Sequence, residues 1–169
     1  MIVMTASLAT LGALIGFMVL VKLGFGRLGL RAPIPSQELA LSWRMIALIA
    51  GMGCAGILLS DRLGVPTFWD PSVSQWQRFG LPAAVGLVYG AWMVVSDLPQ
   101  PAPVHLEGAF APFFYAYGAI LLEVMLRLFA ITALVSLAVL AFGEGVEGAA
   151  FWLAAGIAAL YEPSAYMML

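Results

Sequence analysis

Ile2–Val21 is an unbroken run of 20 residues without a charged side chain. At a helical rise of about 1.5 Å per residue, such a run crosses about 30 Å, the thickness of a bilayer's hydrocarbon core. No Lys or Arg precedes Lys22, so the basic region of a secretion signal is missing and the run reads as a retained transmembrane helix. Four further apolar stretches follow: Leu39–Ser60, Leu81–Ser96, Phe113–Phe142 and Ala149–Leu169. Backbone inside a bilayer must satisfy its own hydrogen bonds, which selects helices. Hydrophobic residues make up 63% of the chain and charged residues 9%, too few charges to coat a soluble surface. The expectation is an all-α, polytopic integral membrane protein with about five transmembrane helices, a single domain over residues 1–169.

The scarce residues exclude several chemistries. Seven Lys+Arg against nine Asp+Glu form no basic patch, so nucleic acid is not a partner. Cys54 is the sole cysteine, which excludes an intrachain disulfide and a cysteine-based metal site. His105 is the sole histidine, which excludes an H-E-x-x-H zinc helix and a haem held by two histidines of this chain. His105 and Glu107 lie together between proline-rich residues and read as solvated loop residues. No metal and no cofactor is expected. Residues 143–148, G-E-G-V-E-G, match the spacing of a dinucleotide loop. They follow a membrane helix, and their two glutamates would repel a pyrophosphate, so they read as a turn.

The connections carry further expectations. Lys22–Glu38 reads as a loop, with Pro33 and Pro35 breaking any helix. Asp61–Gly80 reads as a polar loop whose Phe68, Trp69, Trp76 and Phe79 belong to the interfacial aromatic belt. Gly12 with Gly16, and Gly86 with Gly90, have G-x-x-x-G spacing and point to close helix packing. Phe113–Phe142 is 30 residues long. A helix of that length, about 45 Å, must tilt, protrude or break, a break falling near Gly118. Glu162-Pro163 interrupts the last stretch, and the apolar end at Met168-Leu169 points to a further segment beyond it. Lys22, Arg27, Arg31 and Arg44 flank the first connection, which places it in the cytoplasm and the N-terminus outside.

Glu123 and Arg127 are the one ionisable pair deep inside an apolar stretch. A lone charge at mid-bilayer costs about 2.5–3.5 kcal/mol on the insertion scale, so such residues pair, face a cavity or do chemistry. Their i, i+4 spacing, with Glu on the N-terminal side, is the favourable order for a helical ion pair. Two readings follow: a self-neutralising structural pair, or a Glu123 that faces a wet cavity and handles protons. Glu162, beside Pro163, is a second intramembrane polar candidate. It has four readings: pairing with Arg127 across helices, meeting water in a cavity, sharing a two-carboxylate site with Glu123, or ending its helix at the interface.

Leu122-Glu123-Val124-Met125-Leu126-Arg127 resembles the E-E-x-x-x-R helix motif of the CPBP family of intramembrane proteases, which includes the CAAX prenyl proteases. Phe114-Tyr115-Ala116-Tyr117-Gly118 before it and Phe151-Trp152-Leu153-Ala154 after it are similar to bacterial members, and the resemblance covers residues 111–160. It implies a bacterial inner-membrane protein with Glu123 and Arg127 as remnants of the catalytic motif. If active, the protein would be an intramembrane CAAX-type endopeptidase. The departures imply an inactive homologue. Leu122 stands where the first motif Glu would act as base. Tyr161-Glu162-Pro163 stands where the family's next helix carries a His, and the family's final helix has no counterpart. The implied role is a membrane scaffold or binding protein, with lipid and other membrane subunits as partners. The alternative is a non-catalytic accessory subunit of a larger energy-transducing or photosynthetic membrane complex.

Overall fold

A computed structural model describes residues 2–29, 35–65, 69–97 and 111–167, with side chains given for all of these except 2, 35–37, 89, 93–94, 96–97, 111 and 160–167. The described residues are helical, without a strand. Helix α1 is Ile2–Arg27, α2 is Pro35–Ala40 and α3 is Trp43–Arg62. A π-helical turn, π1 (Trp76–Gly80), leads directly into α4 (Leu81–Asp97). Helix α5 (Ala111–Leu122) continues into a π-helical segment, π2 (Glu123–Ile131), and on into α6 (Thr132–Phe142). Helix α7 is Glu147–Met167.

Three of these helices are long and apolar enough to cross a membrane: Val3–Arg27, Trp43–Arg62 and Pro112–Phe142. The expected count of five is not reached on this measure. Helix α4 has 17 residues, and the described apolar part of α7 ends at Ala159.

Local chemistry accounts for several helix ends. The Ser42 hydroxyl accepts from the Met45 amide at 3.2 Å, capping the start of α3. Arg27 closes α1, where a cation complements the carbonyl end of the helix dipole. Gly143 ends α6 at φ +86° and Gly145 follows at φ +102°, a conformation that favours glycine. The Gly145 amide donates to Glu147 Oε2 at 2.8 Å, so residues 143–146 form the expected turn and reverse the chain into α7.

Other expectations are corrected. The first connection is shorter than the charges suggested: α1 runs on through Lys22 to Arg27, and Pro35 opens α2. At a first helical position, proline's missing N–H costs nothing. The long fourth stretch does not rupture at Gly118. It stays helical throughout and widens at Glu123–Ile131. Pro163 does not end the last helix, whose backbone continues to Met167. The side chain of Glu162 lies outside the described residues, as do His105 and Glu107.

The core joins α1, α3 and the α5–π2 junction through Leu11, Met18, Phe25, Ile49, Tyr117 and Val124. A smaller cluster of Ile131, Val135 and Ala154 ties α6 to α7. The glycines at the closest approach are not those of the two G-x-x-x-G pairs. A Cβ built on Gly12, Gly16, Gly86 or Gly90 meets nothing within 4 Å. Gly53 and Gly56 are the contact points instead: a Cβ on Gly56 would lie 2.5 Å from the Leu128 carbonyl oxygen. Spacing identifies a smooth helix face; it does not say which face meets a neighbour.

Tyr117 is the largest fully buried side chain, and its hydroxyl donates to the Ala40 carbonyl at 2.6 Å. The bond fastens α5 to the end of α2, next to the capped start of α3. Tyr117→Phe is expected to lower stability by about 1–2 kcal/mol, since it strands a carbonyl in an apolar setting. A shift in thermal unfolding of the detergent-solubilised protein measures it.

Candidate functional site

Glu123 opens π2, and Arg127 follows one turn later on the same segment. A π-helix bonds i to i+5 and is wound more widely than an α-helix. Residues four apart still fall on one side of it. Arg127 Nη1 reaches Glu123 Oε1 at 2.6 Å, so the pair forms as its spacing predicts. The enclosure expected for an intramembrane pair does not follow. The Arg127 side chain is 65% exposed and that of Glu123 is 53% exposed. The pair stands on the wall of a groove, and its neighbours on the helix take the buried positions: Val124 is 3% exposed and Ile131 8%.

The groove has a volume of about 390 Å³ and lies where α1, α3, π2 and α7 meet. Its aliphatic wall includes Leu11 and Leu14 from α1, Ile57 from α3, and Val124 and Leu128 from π2, with Phe151 of α7 on the far side. Hydroxyl groups also line it, and most are committed to their own helices. Ser7 Oγ donates to the Val3 carbonyl at 3.1 Å, and Thr10 Oγ1 to the Ala6 carbonyl at 2.9 Å. Thr132 Oγ1 donates to the Leu128 carbonyl at 2.5 Å and approaches the Phe129 carbonyl at 3.0 Å. The Thr132 amide also donates to the Phe129 carbonyl, and the hydroxyl makes the i−4 back-bond that Ser7, Thr10 and Ser136 make on their own helices.

Trp69 is a groove residue that sequence reasoning placed in the interfacial belt. Its Nε1–H donates to Thr10 Oγ1 at 2.8 Å, which holds the α3–α4 connection against α1. The guanidinium of Arg78 lies 6.0 Å from the ring centroid and donates to the carbonyls of Asp70 and Val73 at 2.9 and 3.1 Å. Asp70 is bonded by the hydroxyl and the amide of Ser72, which hold its carboxyl below the usual range. No sequence signal links Trp69 to Thr10, which lie 59 residues apart. Trp76 and Phe79, the other described rings of that aromatic group, are exposed, as belt residues would be.

Leu122, at the position of the missing motif glutamate, is half-buried and brings no polar group to the site. Among the described residues no group of three or more His, Cys, Asp or Glu side chains is placed to hold a metal. The chain matches no protein-family model, no curated protein and no solved structure. The motif over residues 122–127 therefore stands as a resemblance, to be weighed by its chemistry.

Chemically, the groove is a mainly hydrocarbon-lined space with one charged spot and a few hydroxyl groups. Proton transfer needs a base within reach of a bound proton and a pKa near the working pH. Acyl transfer needs a nucleophile and preorganised donors for an oxyanion. Glu123 is occupied by Arg127, and the hydroxyls of Ser7, Thr10 and Thr132 are turned to backbone carbonyls. This arrangement suits retention of an apolar molecule better than bond cleavage.

Proposed function

We propose that the protein is a non-catalytic binding or scaffold protein of the bacterial inner membrane, a CPBP-like fold in which the groove has outlasted the catalytic set. The observation that carries this reading is the absence of a free base or nucleophile among the groove's described polar groups: Glu123 is ion-paired with Arg127, only the outer donors and acceptors of the pair staying open, and three hydroxyls donate to their own helices. In this reading α4 and α7 are the third and fifth of five membrane helices, and the first connection is cytoplasmic. Purified protein is expected to leave prenylated CAAX peptides and other membrane peptides uncleaved. Turnover that disappears in Glu123→Gln would refute the reading. For the topology, single cysteines at Arg31 and Gln75 in a Cys54→Ala background are expected to label from opposite sides of the membrane. Labelling of both from one side would exclude the alternating arrangement.

A second reading, an accessory subunit of a larger membrane complex, is favoured by α4. Its one extensive contact among the described residues is with π1, which leads into it. Leu81, Val85, Leu87, Val88, Trp92 and Val95 are each more than half exposed. A helix apolar on every side needs lipid or another protein around it. Purification in mild detergent separates the two readings: a subunit keeps fixed partners at constant stoichiometry, and a lone scaffold does not.

A further inference from the structure

We infer that the groove takes one free fatty acid, its hydrocarbon chain along the α1, α3 and π2 wall and its carboxylic acid group on the Glu123–Arg127 pair. The inference rests on the reading of the groove as a binding site and names the ligand.

Volume limits the occupant first. About 390 Å³ lies at the lower end of the range of about 300–1,000 Å³ for small-molecule pockets. One hydrocarbon chain suits it better than the two chains of a glycerolipid. The wall contacts are aliphatic or aromatic, from Leu11, Leu14, Ile57, Val124, Leu128 and Phe151. The occupant therefore meets mainly hydrocarbon, with a few hydroxyl groups along the wall.

The polar spot selects the head group. Arg127 presents five N–H donors, and the salt bridge uses Nη1; Glu123 presents two oxygens, and the bridge uses Oε1. Donors and acceptors thus stand side by side with no net charge. A protonated carboxyl has the complementary pattern, with its acceptor and its donor on two separate oxygens of one carbon, where a hydroxyl has both on a single atom. Its carbonyl oxygen accepts from the remaining Arg127 donors while its O–H donates to a Glu123 oxygen. An ester keeps the acceptor and lacks the donor. A hydrocarbon lacks both and leaves the exposed faces of both charged groups without a polar neighbour, which is costly in an apolar medium. Three of the hydroxyls along the wall, those of Ser7, Thr10 and Thr132, already donate to backbone carbonyls.

The test is a titration of carboxyl-labelled palmitic acid into the protein in nanodiscs. Carbon NMR follows the carboxyl resonance, native mass spectrometry gives the stoichiometry, and protein-free nanodiscs provide the partition background. One saturable site per chain is expected. Methyl palmitate is expected to bind about tenfold more weakly, the worth of one hydrogen bond to a charged group. The double variant Glu123→Gln/Arg127→Leu is expected to bring palmitic acid down toward the affinity of its methyl ester. Leu14→Trp, which fills the groove and spares the pair, is expected to block both ligands. Equal affinity for acid and ester overturns the inference, as does a double variant with unchanged binding, a Leu14→Trp protein that still binds, or a groove that retains only phospholipid or a protein partner. Failure here with membrane peptides still uncleaved leaves the scaffold reading in place. Peptide turnover would remove that reading whatever the fatty acid does.

Discussion

Gly56→Ala is expected to be the most damaging methyl addition at a contact between helices, since a Cβ on Gly80 meets only the exposed Trp76 ring on its own segment. The added Cβ would lie 2.5 Å from the Leu128 carbonyl oxygen and 2.9 Å from its carbonyl carbon. Those are backbone atoms of π2, so relief requires α3 and π2 to separate. Overpacking in a close-packed interior costs about 1–3 kcal/mol, and a backbone obstacle puts this case at or above the upper end. Gly53→Ala should be milder. Its Cβ meets the two methyl carbons of Leu11, at 2.6 and 2.8 Å, and the far end of a side chain can rotate away. Gly12→Ala and Gly16→Ala should leave the protein's own folding intact, because a Cβ at either position meets nothing within 4 Å and alanine is the better helix former by about 1 kcal/mol. Thermal unfolding of the four variants in one detergent ranks them. A Gly56→Ala protein that melts with Gly12→Ala would show that α3 and π2 are not in close contact in the membrane.

The second large effect is expected at the charged pair, and its signature is non-additivity. Arg127→Leu leaves Glu123 without its cation on the wall of an apolar groove. A lone charge within the hydrocarbon region costs about 2.5–3.5 kcal/mol on the insertion scale. Glu123→Gln leaves the guanidinium alone and should cost a similar amount. The double variant carries neither charge and is expected to be more stable than either single variant. The loss in each single variant reports the stranded charge as well as the lost bond. A double-mutant cycle of thermal unfolding, repeated in nanodiscs, measures the coupling. Single variants that are silent, or whose losses simply add, would mean that the two residues do not interact.

The pair and the turn at residues 143–148 could both be read along the chain because each is local. Glutamate and arginine four apart on a helix meet whatever surrounds them, and glycines at a helix end supply the positive φ that a reversal needs. The widening of the long helix was not legible in the same way. Its apolar residues suit an α-helix as well as a π-helix, and nothing in Glu123–Ile131 departs from ordinary helix formers. Position 118, where a glycine invited a break, remained regular because the neighbouring Tyr117 is buried and bonded to Ala40.

By itself the sequence determined that the chain enters a membrane and is helical there. Apolar length and missing charge suffice for that, since a bilayer leaves the backbone no other way to satisfy its hydrogen bonds. It also determined that Glu123 and Arg127 pair. The tertiary structure alone decided which glycines touch a neighbour, that Trp69 is held by Thr10 and Tyr117 by Ala40, and that the charged pair lines a groove instead of lying in the core. Each of those outcomes depends on how helices rotate and pack. The Trp69–Thr10 and Tyr117–Ala40 bonds join residues 59 and 77 positions apart, a separation that no local periodicity can register.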